Sequence, residues 1–236
     1  MKNTNRKHAI VAGISLLVMA LAAGYAYGYV HTNLIVADDP AATLTTLQSA
    51  KALFGSEVIA WMVILITDLL VSWSLYRYFV ETDARISLIT CLIRAVYSVA
   101  LAFAISHLMV AWQMLYSPEQ SATAVMGMVS DFEKYWFLGL ILFGVHLLGL
   151  GYLAVKSTST PRWMGWLLYI AGIGYMGIHS ARAVAPHAAE AIAMAEMILS
   201  APMALAEMGL AVWLIWKGGR RKAPTTKVGS SSLLAS

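Results

Sequence analysis

Four ionisable side chains lie deep inside apolar stretches of this 236-residue chain, where a charge must be paired or hydrated. Each is nine or ten residues from the basic residue that ends its own stretch: Asp68 from Arg77, Arg94 from Arg85, His146 from Lys156, and Glu207 from Lys217. At 1.5 Å per helical residue, these spacings correspond to a depth of roughly 14 to 15 Å. The spacing therefore predicts one polar layer near the middle of a membrane, supplied by four helices.

A second polar layer is predicted nearer the outer surface. Two carboxylates each precede a member of the midplane layer by eleven residues, which is about three helical turns, so the two members of each pair share a helix face. Two histidines fall near the same level. The outer layer thus comprises Glu57, Glu196, His179 and also His107, which helical phase turns away from Arg94.

An acid, a base and an imidazole at one depth can bind or move a small solute, an ion or a proton. In this interpretation Asp68 and Arg94 form a fixed ion pair, His146 is the titrating or coordinating group, and Glu207 is its acidic partner. A proline at 202, between the two glutamates of the last stretch, removes one helical hydrogen bond and favours a hydrated cavity. We take this as the first hypothesis.

Two other interpretations stay open. In the second, a redox protein or enzyme holds a metal through His146, Glu207 and Asp68, or a haem between His107 and His179. The sequence contains no HExxH, CxxCH, GxSxG or phosphate-loop motif, so we assign no catalytic residue and no cofactor. In the third, an accessory or sensing subunit uses the same polar groups only to fix helix packing.

Composition indicates that lipid is the solvent for most of the chain. Hydrophobic residues make up 60% and charged residues 12% of the sequence, and the mean hydropathy is +0.71. A soluble domain carries about twice that fraction of charge. The single cysteine, Cys91, excludes an intramolecular disulfide. The net charge of +4 is concentrated in the termini and turns, which is typical of membrane orientation rather than nucleic-acid binding.

Hydropathy and capping patterns predict an all-α bundle of six transmembrane helices in one domain, residues 1–217. Asp39 before Pro40 predicts a short outer helix over residues 38–54, and Ser117 with Pro118 predicts another before residue 130. Ser130 with Glu133 forms a capping box for the fourth span, and Pro161 occupies the first position of the fifth. The predicted spans are about 9–30, 56–79, 86–116, 133–156, 163–183 and 189–217.

The distribution of lysine and arginine predicts the orientation. Outside the spans, twelve of them fall on one side and only three, at 51, 134 and 182, on the other. Because the cytoplasmic side carries the excess, both termini are predicted to be cytoplasmic. The tail, residues 218–236, is polar and is predicted to be disordered.

Several stretches resemble a known membrane family. They are LVSWSLYRYF at 70–79, LIRAVYSV at 92–99, and the hairpin YWFLGLILFGVHLLGLGYLAVKSTSTPRWMGWLLYIAGIGY. From about residue 10 to 216 the chain resembles the bacterial family catalogued as domain of unknown function 4386. The resemblance implies a multi-pass protein of the bacterial inner membrane with no agreed activity, and polar features at Asp68, Arg94, Tyr97 and His146.

The expected partners follow from this architecture. The lipid bilayer is the main one, and no nucleic acid is expected. Six spans without a detectable inverted repeat are few for a transporter acting alone. A homo-oligomer or a larger membrane complex would therefore complete the first hypothesis.

Overall fold

The computed structural model describes residues 2–119 and 121–218, and all regular secondary structure in this part of the chain is helical. The predicted disordered tail lies, from residue 219 onward, outside the described residues. Helix α1 covers Lys2–Ala23 and continues as a π-helix over Gly24–His31 and a final turn, Thr32–Leu34. The other helices are α2 (Pro40–Ser49), α3 (Lys51–Phe79), α4 (Ala84–Met114), α5 (Ala122–Lys156), α6 (Arg162–Val184) and α7 (Ala189–Trp216).

Five of these helices are long and apolar enough to cross a membrane. They are α1 from Asn5 through Leu34, α3, α4, α5 and α7. Helix α6, although 23 residues long, is richer in tryptophan, tyrosine and glycine, and it does not reach the same hydropathy. The helical bundle and its membrane character agree with the sequence analysis, whereas the count of six spans stays a prediction.

The predicted boundary at Ser130 is wrong. The outer helix and the fourth span form one 35-residue helix, α5, and the side chain of Ser121, rather than Ser117, accepts a hydrogen bond from Ala124 N at its start. No proline interrupts α5, and the cost of Gly127 inside a helix is only about 1 kcal/mol, so nothing ends the helix there.

Three other predicted helix starts lie at or within five residues of the observed ones. The side chain of Asp39 accepts from Ala42 N, with Pro40 in the first turn of α2, as predicted. Helix α3 begins at Lys51, five residues earlier than expected, and Pro161 lies one residue before α6 rather than at its first position.

The six long helices close into a ring in the order α1, α3, α4, α5, α6, α7 and back to α1. Arg6 closes the ring by donating from Nη1 to the carbonyl oxygens of Leu214, at 2.8 Å, and Gly218, at 2.7 Å. These bonds satisfy carbonyl groups that the C-terminal end of α7 leaves free. They also place the start of α1 and the end of α7 at the same end of the bundle.

Helices α5 and α6 pack through two facing pairs of glycines. A Cβ atom on Gly172 would lie 2.8 Å from the carbonyl oxygen of Gly144, and one on Gly165 would lie 2.7 Å from that of Gly151. Because backbone atoms occupy the space, neither position has room for a side chain. This close approach packs α6 against the C-terminal half of α5.

Candidate functional site

Arg94 on α4 is the centre of a buried network that joins three helices. Its Nη2 lies 2.6 Å from Asp68 Oδ1 on α3, and its Nη1 lies 3.1 Å from His146 Nε2 on α5. The hydroxyl of Ser98, one turn after Arg94, donates to the other carboxylate oxygen of Asp68. All four side chains are buried, Asp68 completely. Three of the four predicted midplane residues are thus in direct contact.

The hydrogen bonds assign the tautomer of His146. Its Nδ1 lies 2.9 Å from the carbonyl oxygen of Thr90, which can only accept, so Nδ1 carries the proton. Nε2 then has a free lone pair and accepts from Arg94, which can only donate. His146 is therefore a neutral acceptor that orients the guanidinium group toward Asp68.

Glu207 on α7 belongs to the same layer but lies one side chain away from the network. It accepts a hydrogen bond of 3.0 Å from the hydroxyl of Tyr175 on α6, and it lies within electrostatic range of Arg94 and Asp68. Phe143 separates the two parts: Arg94 is 5.1 Å from its ring centroid, and Tyr175 meets it edge-on at 5.2 Å.

Two further side chains complete the layer. Tyr97, buried on α4, packs on Phe143 at 5.2 Å and against Gly139, where an added Cβ would meet the tyrosine ring at 3.3 Å. Met19 brings α1 into the layer, with its sulfur 3.5 Å from Arg94 Nη2. Every helix of the ring therefore supplies at least one side chain at this level.

A small cavity adjoins His146 on the side of the α3–α4 turn. It offers about 10 Å³ of space to a water-sized molecule, which is close to what a single water needs. Its polar lining includes Ser72, Ser87, Thr90 and Cys91. The buried hydroxyl oxygen of Thr90 has no hydrogen-bond partner among the described atoms, so a water here would satisfy it.

The outer layer differs from the predicted one. Glu57, completely buried on α3, binds His31 of α1 rather than a predicted member: Glu57 Oε1 lies 2.8 Å from His31 Nδ1 and 3.3 Å from Trp61 Nε1. On its other side, His31 Nε2 lies 3.4 Å from Glu133 Oε1 on α5. Tyr27 stacks on His31 and also reaches Glu133.

The remaining predicted outer residues lie elsewhere. Glu196 forms an ion pair of 2.5 Å with Arg182, and both side chains are more than a third exposed. His179 is buried, stacked between Phe137 and Tyr175. His107 contacts Tyr135 and bonds to its own helix at Phe103 O.

The suggested haem site between His107 and His179 is wrong. The two histidines contact α5 at Tyr135 and Phe137, two residues apart and hence about 200° apart around the helix. They therefore lie on opposite sides of α5.

The proposed metal ligands His146, Glu207 and Asp68 are also not gathered around one point. Arg94 occupies the space between Asp68 and His146, and it uses the lone pair of His146 Nε2 that a metal would need. Within residues 2–119 and 121–218, no group of three histidine, cysteine or acidic side chains is arranged to hold a metal ion.

Four residues of the site were not predicted from the sequence: His31, Glu133, Ser98 and Thr90. Ser98 was detectable, because it follows Arg94 by four residues and so shares its helix face. Glu133 was assigned to a cap, and His31 lies one residue beyond the predicted end of the first span. Thr90 contributes a backbone carbonyl, for which a sequence offers no signal.

Comparison with known proteins gives a family but no activity. The family described as Domain of unknown function (DUF4386) matches residues 11–218. An uncharacterized protein of the archaeon Archaeoglobus fulgidus is 30% identical over 119 residues, which is 50% of this chain and 62% of that protein. The match thus spans less than two thirds of the relative. No solved structure matches this chain.

Proposed function

We propose that this chain, which belongs to the uncharacterised DUF4386 family, is a protein of the bacterial inner (cytoplasmic) membrane. We also propose that it binds and moves protons. We further propose six spans with both termini cytoplasmic. Helix α6 supplies the sixth, because 23 residues extend about 34 Å, more than the roughly 30 Å of a bilayer core. The excess of lysine and arginine at the end where Arg6 meets α7 supports the orientation.

The observation that carries the proton function is the environment of Glu207. This carboxylate is half-buried on α7 beside the midplane network, and its hydrogen bond comes from a neutral hydroxyl, that of Tyr175. By contrast, Asp68 has the guanidinium of Arg94 at 2.6 Å and needs no proton. Two carboxylates at one depth thus have different roles: Asp68 is the fixed partner of Arg94, and Glu207 is the group that gains and loses a proton.

The small size of the cavity beside the midplane network favours a proton over a larger solute. The cavity beside His146 accommodates about one water molecule, and aromatic rings fill the layer around Phe143. The cavity extends from His146 to Phe79 and Leu153, near the cytoplasmic ends of α3 and α5. A water in it would connect the midplane network toward the cytoplasmic side through hydroxyl groups.

Reconstitution into liposomes with a trapped pH-sensitive dye tests this function. A pH step and a potassium diffusion potential drive protons, and we expect vesicles with protein to change internal pH faster than empty vesicles. Glu207→Gln keeps the shape and removes the proton site, so it should abolish the difference. Glu190→Gln, the same change at an exposed position of the same helix, should not.

Two results would reject the function. One is wild-type flux equal to that of empty vesicles. The other is undiminished flux in a folded Glu207→Gln protein, which would leave the polar layer with a packing role and favour the accessory or sensing subunit.

A further inference from the structure

His31 lies between two carboxylates that come from different helices. Its Nδ1 is 2.8 Å from Glu57 Oε1 on α3, and its Nε2 is 3.4 Å from Glu133 Oε1 on α5. Each ring nitrogen thus faces its own acid. This is the arrangement in which an imidazole can accept a proton on one side and donate one on the other.

The three side chains differ in exposure in a regular order. The side chain of Glu133 is 32% exposed, that of His31 is 4% exposed, and Glu57 is completely buried. The cluster therefore leads from the surface to the interior over two contacts. It lies at the end of the bundle opposite to Arg6 and Lys217, where α1 ends and α3 begins.

The cluster is not fully hydrogen-bonded. Glu57 Oε2 and His31 Nε2 are buried and have no hydrogen-bond partner among the described atoms. A purely structural pair would gain from satisfying both, because buried polar atoms in folded proteins nearly always find a partner. Polar atoms without a partner, close to the partly exposed carboxylate of Glu133, are expected of groups that exchange protons.

The backbone at His31 is also unusual. The last eight residues before Thr32 form a π-helix, a rare conformation that is frequently found at functional sites. Tyr27, in the same segment, stacks on His31 at 5.0 Å and donates to Glu133 at 3.4 Å. Two polar side chains of this segment, Tyr27 and His31, therefore contact the same carboxylate, that of Glu133.

From this geometry we infer that Glu133, His31 and Glu57 form the proton-uptake site on the outer surface. A protonated Glu133 transfers its proton to His31 Nε2. The imidazolium then releases the Nδ1 proton to Glu57 Oε1 and keeps the new one on Nε2. The transfer leaves His31 neutral with its proton on Nε2, and exchange of protons with water, one lost from Nε2 and one gained on Nδ1, restores the starting tautomer. One proton leaves Glu133 and one reaches Glu57, so charge and atoms balance.

Other charged groups face the site from α6 and α7. They are Arg182 and Glu196, which pair with each other. Both lie within electrostatic range of Tyr27, which contacts Glu133 of the site. Because the charges of Arg182 and Glu196 nearly cancel, the response of the site to external pH depends on its own three side chains, Glu133, His31 and Glu57.

The inference rests on the proposed proton function, so its test needs a readout besides flux. Protein labelled with ¹⁵N-histidine, in nanodiscs, reports the protonation of each imidazole by NMR, and the signal absent from His31→Gln identifies His31. We expect its nitrogen shifts to follow pH in the wild type. They should follow a different curve in both Glu57→Gln and Glu133→Gln, because each variant removes one of the facing acids.

The flux assay supplies the second arm. We expect His31→Gln and Glu133→Gln to slow proton uptake from the outside at least tenfold. His107→Gln should have no effect, because His107 contacts Tyr135 and the carbonyl oxygen of Phe103 and, within the described part of the chain, pairs with no carboxylate. Glu133 is partly exposed, so its variant will fold even if the buried Glu57 variant does not.

The outcomes separate the two proposals. Wild-type flux in His31→Gln together with lost flux in Glu207→Gln would overturn the uptake site alone. Unchanged His31 shifts in Glu133→Gln would overturn it as well. Wild-type protein that moves no protons would overturn the proposed function, and the NMR comparison would still decide whether His31 exchanges protons between its two acids.

Discussion

Replacing Asp68 by leucine is the sharpest test of the midplane network. The substitution leaves Arg94 buried, with 1% of its surface exposed, and without the carboxylate that now lies 2.6 Å from Nη2. Breaking a buried ion pair by removing one partner costs about 3 to 5 kcal/mol, because the other charge stays uncompensated. We therefore expect Asp68→Leu to lower the free energy of unfolding by about 3 to 5 kcal/mol.

Removing both charges should cost less than removing one. In the double variant, Asp68→Leu with Arg94→Met, no uncompensated charge is left, and apolar replacement of a buried pair is close to neutral. What is lost is the donor to His146 Nε2, and an unsatisfied buried acceptor costs about 1 to 3 kcal/mol. The double variant should therefore lose about 1 to 3 kcal/mol, less than either single variant.

Unfolding can be followed without introducing a new residue. Titration with SDS, monitored by circular dichroism, gives the free energies, and the single cysteine, Cys91, reports opening by its reaction with a thiol dye. Lys156→Met is the matched control, because it breaks the surface ion pair of Lys156 with Asp83, at 2.7 Å, and keeps the hydrogen bond from Ile86 N to Asp83 that caps α4. We expect the control to behave almost as the wild type. Costs that simply add in the double variant would refute the reasoning.

Three further predictions concern packing, ring closure and pH. Gly172→Ala should destabilise the protein by about 1 to 3 kcal/mol in the same titration, since its Cβ meets backbone at 2.8 Å, whereas Gly177→Ala, with nothing within 4 Å, should not. Arg6→Gln should speed amide hydrogen exchange in the last turn of α7, because the carbonyl groups there lose their donor; unchanged exchange would contradict this role. The hydrogen bond from Lys156 lowers the pKa of Asp83 below its usual value of 3.8, so the stabilisation is present above pH 3.8 and disappears as pH falls through the lowered pKa. NMR titration of the carboxyl carbon should show this low midpoint, and Lys156→Met should raise it toward the usual one, although the hydrogen bond from Ile86 N, which also lowers the pKa of Asp83, remains.

Counting residues from the ends of the spans was sufficient to predict that Asp68, Arg94 and His146 lie at one level. It worked because rise per residue is nearly constant in a helix, and each of the three lies nine or ten residues from a basic residue at the same membrane face. The same count placed Glu207 correctly in depth. It could not show that Phe143 and Tyr175 stand between Glu207 and the network, because depth carries no information about lateral order.

The outer layer shows where counting fails. Glu57 was selected correctly as a buried acid. Its partner His31 lies one residue beyond the predicted end of the first span, and Glu133, which contacts His31, was assigned to a cap. Both assignments assumed ordinary helix ends. In fact α1 continues as a π-helix through His31, and α5 runs without a break past Glu133. Continuity across a boundary depends on packing with neighbouring helices, which short capping motifs do not record.

By itself, the sequence determined that this chain forms apolar helices, which of their ends carry the positive charge, and which polar side chains lie at the middle depth. These properties follow from hydropathy and helical rise, which are local. Only the tertiary structure decided the partners: that Arg94 binds both Asp68 and His146, that His31 lies between Glu57 and Glu133, and that His107 and His179 never meet. The reason is that partner choice depends on the order of helices around the ring and on their rotation, and contacts between residues far apart in sequence, such as the glycine pairs of α5 and α6, set both.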